Sequence, residues 1–232
     1  MTSTLLLLLK GPMQSWGDDS RYKQRKTGQV PTKSGVIGML AAALGRRRVD
    51  PIEDLAGLSF GVRVDQPGTL LKDFQTALPE GASNAQLVTR YFLSEAVFVA
   101  AVESEERALL ENIESALRRP RFPLFLGRRS CPAPADLVLG IRDSDLVTAL
   151  QGEEWHASKS HRQARARNVV LPIHRDARKG ERGIACRDVP ISFAQEHRQY
   201  AWREVVQDET GAPFENPLAT KSDPFFEAVI RA

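Results

Sequence analysis

The chain of 232 residues is long enough to bury a substantial core, either as one large domain or as a domain with an insertion. Its hydrophobic and charged fractions, 42% and 26%, are ordinary for a water-soluble globular protein, and its two cysteines are too few for a disulfide framework or a zinc site. The apolar run at residues 5–9 is too short for a membrane helix and lacks the flanks of a signal peptide. We therefore expect a cytoplasmic protein without a membrane partner.

The net charge is only +3, but the cations are clustered. Residues 21–33 and 118–129 each contain five Lys or Arg and no carboxylate, and residues 159–187 contain nine Lys or Arg against two carboxylates. The segment that follows residue 203 is acidic. Because clustered positive charge suits a polyanion better than evenly mixed charge does, the distribution favours a nucleic-acid partner.

The first quarter of the chain predicts a strand, a helix and a second strand. Residues 4–9 are apolar on both faces, which is typical of a fully buried strand. A polar loop follows up to residue 30, and loops of this length are usually functional or disordered. Thr32 and Ser34 are N-cap candidates for a helix that Gly45 ends, and residues 58–64 then predict the second strand.

Regular periodicity fails over residues 65–90 and resumes with a strand at 92–102, an amphipathic helix at 105–117 and a short strand at 137–139. This order is the ferredoxin-like βαββαβ plan, with an insertion where its central hairpin belongs. We therefore predict an α+β fold from which the insertion projects as a thumb. Beyond residue 152 the pattern predicts an irregular, β-rich part with short strands at 169–173 and 200–206.

Three motifs place a glycine-containing turn beside polar or basic side chains at the end of an apolar run. They occupy residues 10–17, 31–38 and 124–132. Such turns bring backbone N–H groups close to phosphates. In the third motif, Gly127 allows a close approach to a ligand, and the two arginines after it can fork onto phosphates or stack on bases. The alternative is a basic turn that pairs with the acidic C-terminal segment.

The other candidate contacts lie in the first loop, at the start of the helix and in a basic run at residues 159–167. Aromatic and basic side chains on one loop suit single-stranded nucleic acid, although Trp16 serves equally well as an anchor to the core. A helix N-terminus with hydroxyl and ammonium groups suits one phosphate, and it is equally compatible with plain capping. The basic run favours a nucleic-acid contact over a solvated loop, and Cys131 is expected to be a buried small hydrophobic residue. The candidate RNA-binding residues are Gln14, Trp16, Arg21, Tyr22, Arg25, Lys26, Thr32, Lys33, Ser34, Gly127, Arg128, Arg129, Ser130, Arg162, Arg165 and Arg167.

The motifs Gly11-Pro-Met-Gln-Ser-Trp-Gly17, Pro31-Thr-Lys-Ser-Gly-Val-Ile-Gly-Met-Leu-Ala-Ala-Ala-Leu-Gly45 and Phe125-Leu-Gly-Arg-Arg-Ser-Cys-Pro132 resemble the CasD family. These are the family-five Cas (RAMP superfamily) subunits of the type I-E CRISPR surveillance complex, Cascade. The resemblance runs in order to about residue 134 and is weak after residue 152. It implies an RRM-like palm, residues 1–64 and 92–232 with the C-terminal extension, and a thumb insertion at residues 65–91.

The resemblance also implies a function. Such a subunit grips the 5′ handle of the CRISPR RNA, caps one end of the filament of CasC backbone subunits, and contacts the large subunit CasA, so that target DNA near the PAM is reached indirectly. It does not cut RNA and needs no cofactor. A generic RRM-type RNA-binding module that acts alone is a weaker interpretation.

The alternative function is a metal-independent endoribonuclease that processes CRISPR repeat RNA. The type I-C relatives have this activity and use tyrosine, lysine and histidine, of which Tyr22 and Lys26 supply two. Gln75, however, stands where such relatives have histidine, and glutamine cannot exchange protons near neutral pH. The four histidines lack metal-ligand spacing. We therefore predict no catalytic residue and no metal site.

Overall fold

The computed structural model describes residues 2–17, 24–78, 81 and 84–220. The helices are α1 (Lys33–Ala43), α2 (Glu53–Ala56), α3 (Arg107–Arg118), α4 (Leu146–Gly152) and α5 (Lys159–Gln163). The strands are β1 (Ser3–Lys10), β2 (Met13–Gln14), β3 (Gln24–Arg25), β4 (Ser59–Gln66), β5 (Thr69–Ala77), β6 (Gln86–Ser94), β7 (Val97–Ser104), β8 (Val138–Arg142), β9 (Asn168–Val169), β10 (Pro172–Asp176), β11 (Ile184–Ser192), β12 (Gln199–Glu209) and β13 (Phe214–Glu215). None of these helices is both long enough and apolar enough to cross a membrane.

A seven-stranded antiparallel sheet in the order β11-β12-β10-β4-β7-β1-β8 forms the centre of the fold. The succession β1, α1, β4, β7, α3, β8 supplies the predicted βαββαβ order. The α+β prediction is confirmed, and the β-rich C-terminal part extends this same sheet beyond β4.

Two hydrophobic layers hold the sheet. The odd-numbered leucines of β1 pack with α1 and α3 on one face, while Leu6 packs with α4 on the other. Every residue from Leu5 to Leu9 is nearly inaccessible to solvent, which explains why this strand is apolar on both faces. Each such leucine contributes about 1.5–3 kcal/mol through burial alone.

A long hairpin of β5 and β6 projects from the end of the sheet between β4 and β7. Its outer part exposes Phe74 and Leu87, whereas Phe92 and Leu93 at its base are buried. The hairpin lies where the sequence predicts the insertion. The predicted strand at residues 92–102 is in fact two strands, because the chain turns at Glu95, which has a left-handed φ of 56°.

Helix α1 begins as the sequence predicts. The Thr32 hydroxyl accepts a hydrogen bond from the Gly35 N–H at 3.2 Å, and Gly45 ends the helix region at a φ of +81°. A side chain at Gly35 would lie 2.9 Å from the Trp16 ring, so the small residue lets the first loop pack on the helix. Helix α1 and the first loop thereby become two sides of one groove.

Candidate nucleic-acid interface

A groove of about 840 Å³ lies between the first loop, α1, the turn at residues 122–129 and the end of the β11–β12 hairpin. Eight cations and five aromatic residues line it, and no carboxylate occurs among the described residues of its lining. The cations are Arg25, Lys26, Arg46, Arg47, Arg48, Arg128, Arg129 and Arg198, and the aromatic residues are Trp16, Phe122, Phe125, Phe193 and Tyr200. Cations with interspersed aromatic rings suit the backbone and bases of a single strand.

The groove cations differ in whether they already have a partner. Arg46 forms an ion pair with Asp54, and Arg47 forms one with Asp50 at 2.9 Å. Four arginines are exposed, and their guanidinium groups make no hydrogen bond or ion pair with any residue in the described part of the chain. These four are Arg25, Arg48, Arg129 and Arg198. They are the groups most readily available to an incoming anion.

Arg128 holds the walls of the groove together. Its Nη1 donates to the carbonyl oxygen of Tyr91 at 3.1 Å, and its Nη2 donates to those of Arg25 and Lys26 at 2.9 and 3.1 Å. The guanidinium lies over the Phe92 ring at 4.9 Å. Burial lowers the pKa of this arginine, and two neighbouring arginines add to the effect. Arg128 thus braces the protein's own backbone, and its contact with a phosphate stays a prediction.

Gly127 is required by the fold. It has a φ of +89°, and a Cβ atom there would lie 1.8 Å from the carbonyl oxygen of Ser15. The Ser15 N–H donates to the Leu126 carbonyl at 3.1 Å, which ties the turn to the first loop. The close approach that the sequence predicts is thus an approach to Ser15. Cys131 is buried in the core as expected, and burial raises the pKa of its thiol.

Gln14 and Trp16 face the core. The Gln14 amide nitrogen donates to the carbonyl oxygens of Leu9 and Ala96 at 3.0 and 2.7 Å, and its oxygen accepts from the Trp16 indole N–H at 3.0 Å. Both side chains are fully buried. Trp16 is therefore the anchor of the first loop, and neither side chain offers a surface to a base, contrary to the prediction.

The start of α1 is occupied by protein groups. The Lys33 backbone N–H donates to the Asp188 carboxylate at 2.7 Å, and the buried Lys33 ammonium pairs with Asp176 at 3.1 Å. The ammonium is therefore not available to a phosphate, contrary to the prediction. Thr32 and Ser34 do line the groove, but Thr32 also caps the helix.

The remaining predicted residues lie apart from the groove or outside the described residues. Arg21 and Tyr22 lie outside the described residues. Ser130 is exposed but does not line the groove, and its hydroxyl lies 3.8 Å from the Cys131 sulfur. The basic run at residues 159–167 is also outside the lining: Arg162 lies over the Trp155 ring at 5.2 Å, Arg165 is exposed, and Arg167 lies 3.8 Å from Glu215.

The structure adds groove residues that sequence reasoning did not identify. Phe122 and Phe125 lie within the basic segment at 118–129, so a search for aromatic rings among the cations would have found them. Phe193, Arg198 and Tyr200 come from the hairpin of β11 and β12, here called the C-terminal hairpin, about 150 residues beyond α1 in the chain. No local pattern connects them to the groove.

A buried ionic network fixes the C-terminal hairpin to α1. The Arg203 guanidinium donates to both oxygens of Asp188, at 2.6 and 2.9 Å, and to Asp176 at 2.7 Å. Although burial raises the pKa of Asp188, its contacts with Arg203 and the Lys33 backbone outweigh burial and lower it. Since every charge in this network has an opposite partner, the hairpin is held in one orientation.

The sequence matches the family described as CRISPR-associated protein (Cas_Cas5) over residues 4–206. The chain belongs to this family. A curated relative, CRISPR system Cascade subunit CasD from Escherichia coli (strain K12), is 36% identical over 161 residues, which cover 60% of this chain and 71% of the relative.

Two solved structures resemble this member of the Cas5 family over nearly its whole length. One is described as the crystal structure of a Cas protein; it is 36% identical, has a TM-score of 0.69, and the match covers 95% of this chain and all of the other. The second is described as a CRISPR RNA-guided surveillance complex; that chain is 31% identical, with a TM-score of 0.75 and coverage of 97% and 96%. The resemblance therefore includes the C-terminal hairpin, where the sequence motifs are weak.

Proposed function

We propose that this chain is the RNA-binding subunit of a type I-E CRISPR surveillance complex, Cascade, in the bacterial cytoplasm. It holds the 5′ handle of the CRISPR RNA in the groove, caps one end of the filament of CasC backbone subunits and contacts the large subunit CasA. Target DNA near the PAM is reached through that neighbour. The membership in the Cas5 family and the relatives named for Cascade and its surveillance complex support this assignment.

The observation that carries the proposal is the composition of the groove. Eight cations and the partly exposed rings of four aromatic residues, Phe122, Phe125, Phe193 and Tyr200, line the same space. Four of the arginines have no partner among the described residues. Unpaired guanidinium groups suit phosphate oxygens, which accept hydrogen bonds in pairs. A strand with unpaired bases can in addition stack on partly exposed rings such as Phe122.

The proposal includes no cleavage. Transfer of the 2′-hydroxyl proton needs a base, and the leaving oxygen needs an acid, both with pKa values near the working pH. No histidine occurs among the described residues of the groove lining. The Gln75 amide donates to the Asp73 carboxylate at 2.8 Å on the exposed hairpin, and His161 packs edge-on against the Trp155 ring. These surroundings favour binding over acid–base chemistry.

The test uses the full chain with 5′-labelled single-stranded repeat RNA in the presence of EDTA. We expect saturable binding and intact RNA after prolonged incubation. Lys26→Ala serves as the companion variant, because the lysine lines the groove and is the group that a nuclease would need. Metal-independent cleavage that this variant abolishes would replace the proposal with the ribonuclease alternative, and absence of binding would overturn the RNA-binding assignment.

A further inference from the structure

The connection between β11 and β12 brings three side chains to the groove. Phe193, Arg198 and Tyr200 line it together with residues from the first loop and α1. Arg198 is exposed, and its guanidinium makes no hydrogen bond or ion pair with any residue that the structure describes. Arg129, from the turn at residues 122–129, is likewise exposed to solvent and has no partner among the described residues.

Two features hold this connection against α1. The Phe193 ring packs on the core, with its nearest atom 3.4 Å from the position that a Cβ atom at Gly38 would take. Asp188 on β11 accepts from the first N–H of α1, and Arg203 on β12 donates to the same carboxylate. Because both strands of the hairpin are fixed to the helix, the backbone that carries Arg198 is placed beside the groove before any ligand arrives.

We propose that the β11–β12 connection is a second RNA-gripping element, in which Arg198 binds a phosphate of the strand held in the groove. This inference rests on the proposed function. Arg25 and Arg129 approach the strand from the first loop and the turn at residues 122–129, and Arg198 approaches it from the C-terminal hairpin. Because the backbone of the connection is already fixed, phosphate binding costs only the freedom of the Arg198 side chain, and its planar fork matches the phosphate oxygens.

The test compares Arg198→Ala with Arg182→Ala in the full chain. Both arginines are exposed and each variant removes one charge, but Arg182 does not line the groove. With labelled single-stranded repeat RNA, we expect Arg198→Ala to weaken binding about tenfold, as for a lost hydrogen bond to a charged group, and Arg182→Ala to change it by less than about twofold. The slope of log K against log salt should become shallower by about 0.7 in Arg198→Ala alone. Arg198→Lys should restore that slope, since it retains the charge.

The outcomes separate this inference from the function on which it rests. If the unmodified chain binds the RNA and Arg129→Ala weakens it while Arg198→Ala matches Arg182→Ala, the inference is wrong and the proposed function stands. If the unmodified chain fails to bind, both are wrong. A loss of affinity in Arg198→Ala with an unchanged salt slope would also overturn the phosphate contact, because it would show that the arginine acts only through the fold.

Discussion

Arg128 and Arg129 are neighbours in the chain with opposite surroundings. Arg128 satisfies three backbone carbonyls, while Arg129 is exposed without a described partner. We expect Arg128→Ala to lower the free energy of unfolding by about 1–3 kcal/mol, because the partly buried Tyr91 carbonyl loses its donor and the contact with the Phe92 ring is lost. Arg129→Ala should leave the stability unchanged and weaken binding of repeat RNA by about 1.5–3 kcal/mol. Denaturant unfolding and RNA titration of both variants measure the two effects.

Arg129→Lys is the matched control, since it retains the charge but loses the planar fork. Its RNA affinity should fall between those of the unmodified chain and Arg129→Ala. Equal losses of stability in Arg128→Ala and Arg129→Ala would contradict the division of roles. A substitution at Gly127 cannot separate them, because any side chain there collides with Ser15.

We expect two histidines to make the stability depend on pH. Burial lowers the pKa of His161 and of His174, and the charges of Arg165 and Arg203 add to the effect. The unfolded chain takes up these protons near pH 6.5, whereas the folded protein takes them up at lower pH. The unfolded state therefore binds more protons just below pH 6.5, and the free energy of unfolding falls as the pH falls through this window.

Urea unfolding at pH 7.5 and pH 5.5 measures this dependence, and we expect the lower stability at pH 5.5. The double variant His161→Gln and His174→Gln should flatten the dependence between these two values. A double variant with the same pH profile as the unmodified chain would assign the effect to other groups.

The outer part of the β5–β6 hairpin is exposed and contributes little to the core. Replacement of residues 74–89 by Asn-Gly leaves the paired residues Asp73 and Arg90 joined by a two-residue turn of the kind that hairpins prefer. Buried Phe92 and Leu93 and the Tyr91 carbonyl that binds Arg128 stay in place. We expect a cooperatively folded protein that no longer assembles with the other Cascade subunits, measured by thermal unfolding and co-purification.

The same replacement tests the division of the chain into a palm and a thumb, which stays a prediction. Phe74→Ser with Leu87→Ser is the companion variant: it keeps the hairpin's length but removes two of its exposed apolar side chains. Loss of cooperative unfolding in the shortened protein would show that the outer hairpin belongs to the core.

Elements whose burial is visible in the local pattern are predicted well from the sequence. Strand β1 is apolar on both faces, and α3 has an apolar face of Leu110, Ile113 and Leu117, so both are found within a few residues. Strand β5 is exposed along nearly its whole length, so no alternation marks it. Helix α4 is short and depends on packing against Leu6 and Ile173, which a local pattern does not contain.

The site is predicted less well than the fold, because the local sequence does not show which distant residues pair with a side chain or bury it. Lys33 has every feature of a phosphate ligand until Asp176, 143 residues away, pairs with it. Trp16 has every feature of a stacking platform until α1 covers it. The arginines at positions 25 and 129 line the groove and are exposed, and their contact with RNA stays a prediction.

At the scale of the whole molecule, the clustered charge predicts a steep dependence of RNA binding on salt. The groove contains four arginines without a described partner together with Lys26. If about five phosphates are neutralised, the slope of log K against log salt for a single strand is about −3.5. A fourfold rise in salt should then weaken binding by about two orders of magnitude in a filter-binding or anisotropy titration. A flat titration would indicate that these cations face protein.

The central place of β1 in the large sheet also governs how the chain reaches its fold. Strand β1 pairs with β7 along its whole length and with β8, so its partners are made about 90 and 135 residues later. Until then a newly synthesised chain carries an unpaired leucine strand, which is the kind of segment that aggregates. Such distant pairings also slow folding. Pairing of β1 on both of its edges therefore waits for residue 142. Low temperature or a chaperone during synthesis should benefit the yield of this protein more than changes at its surface.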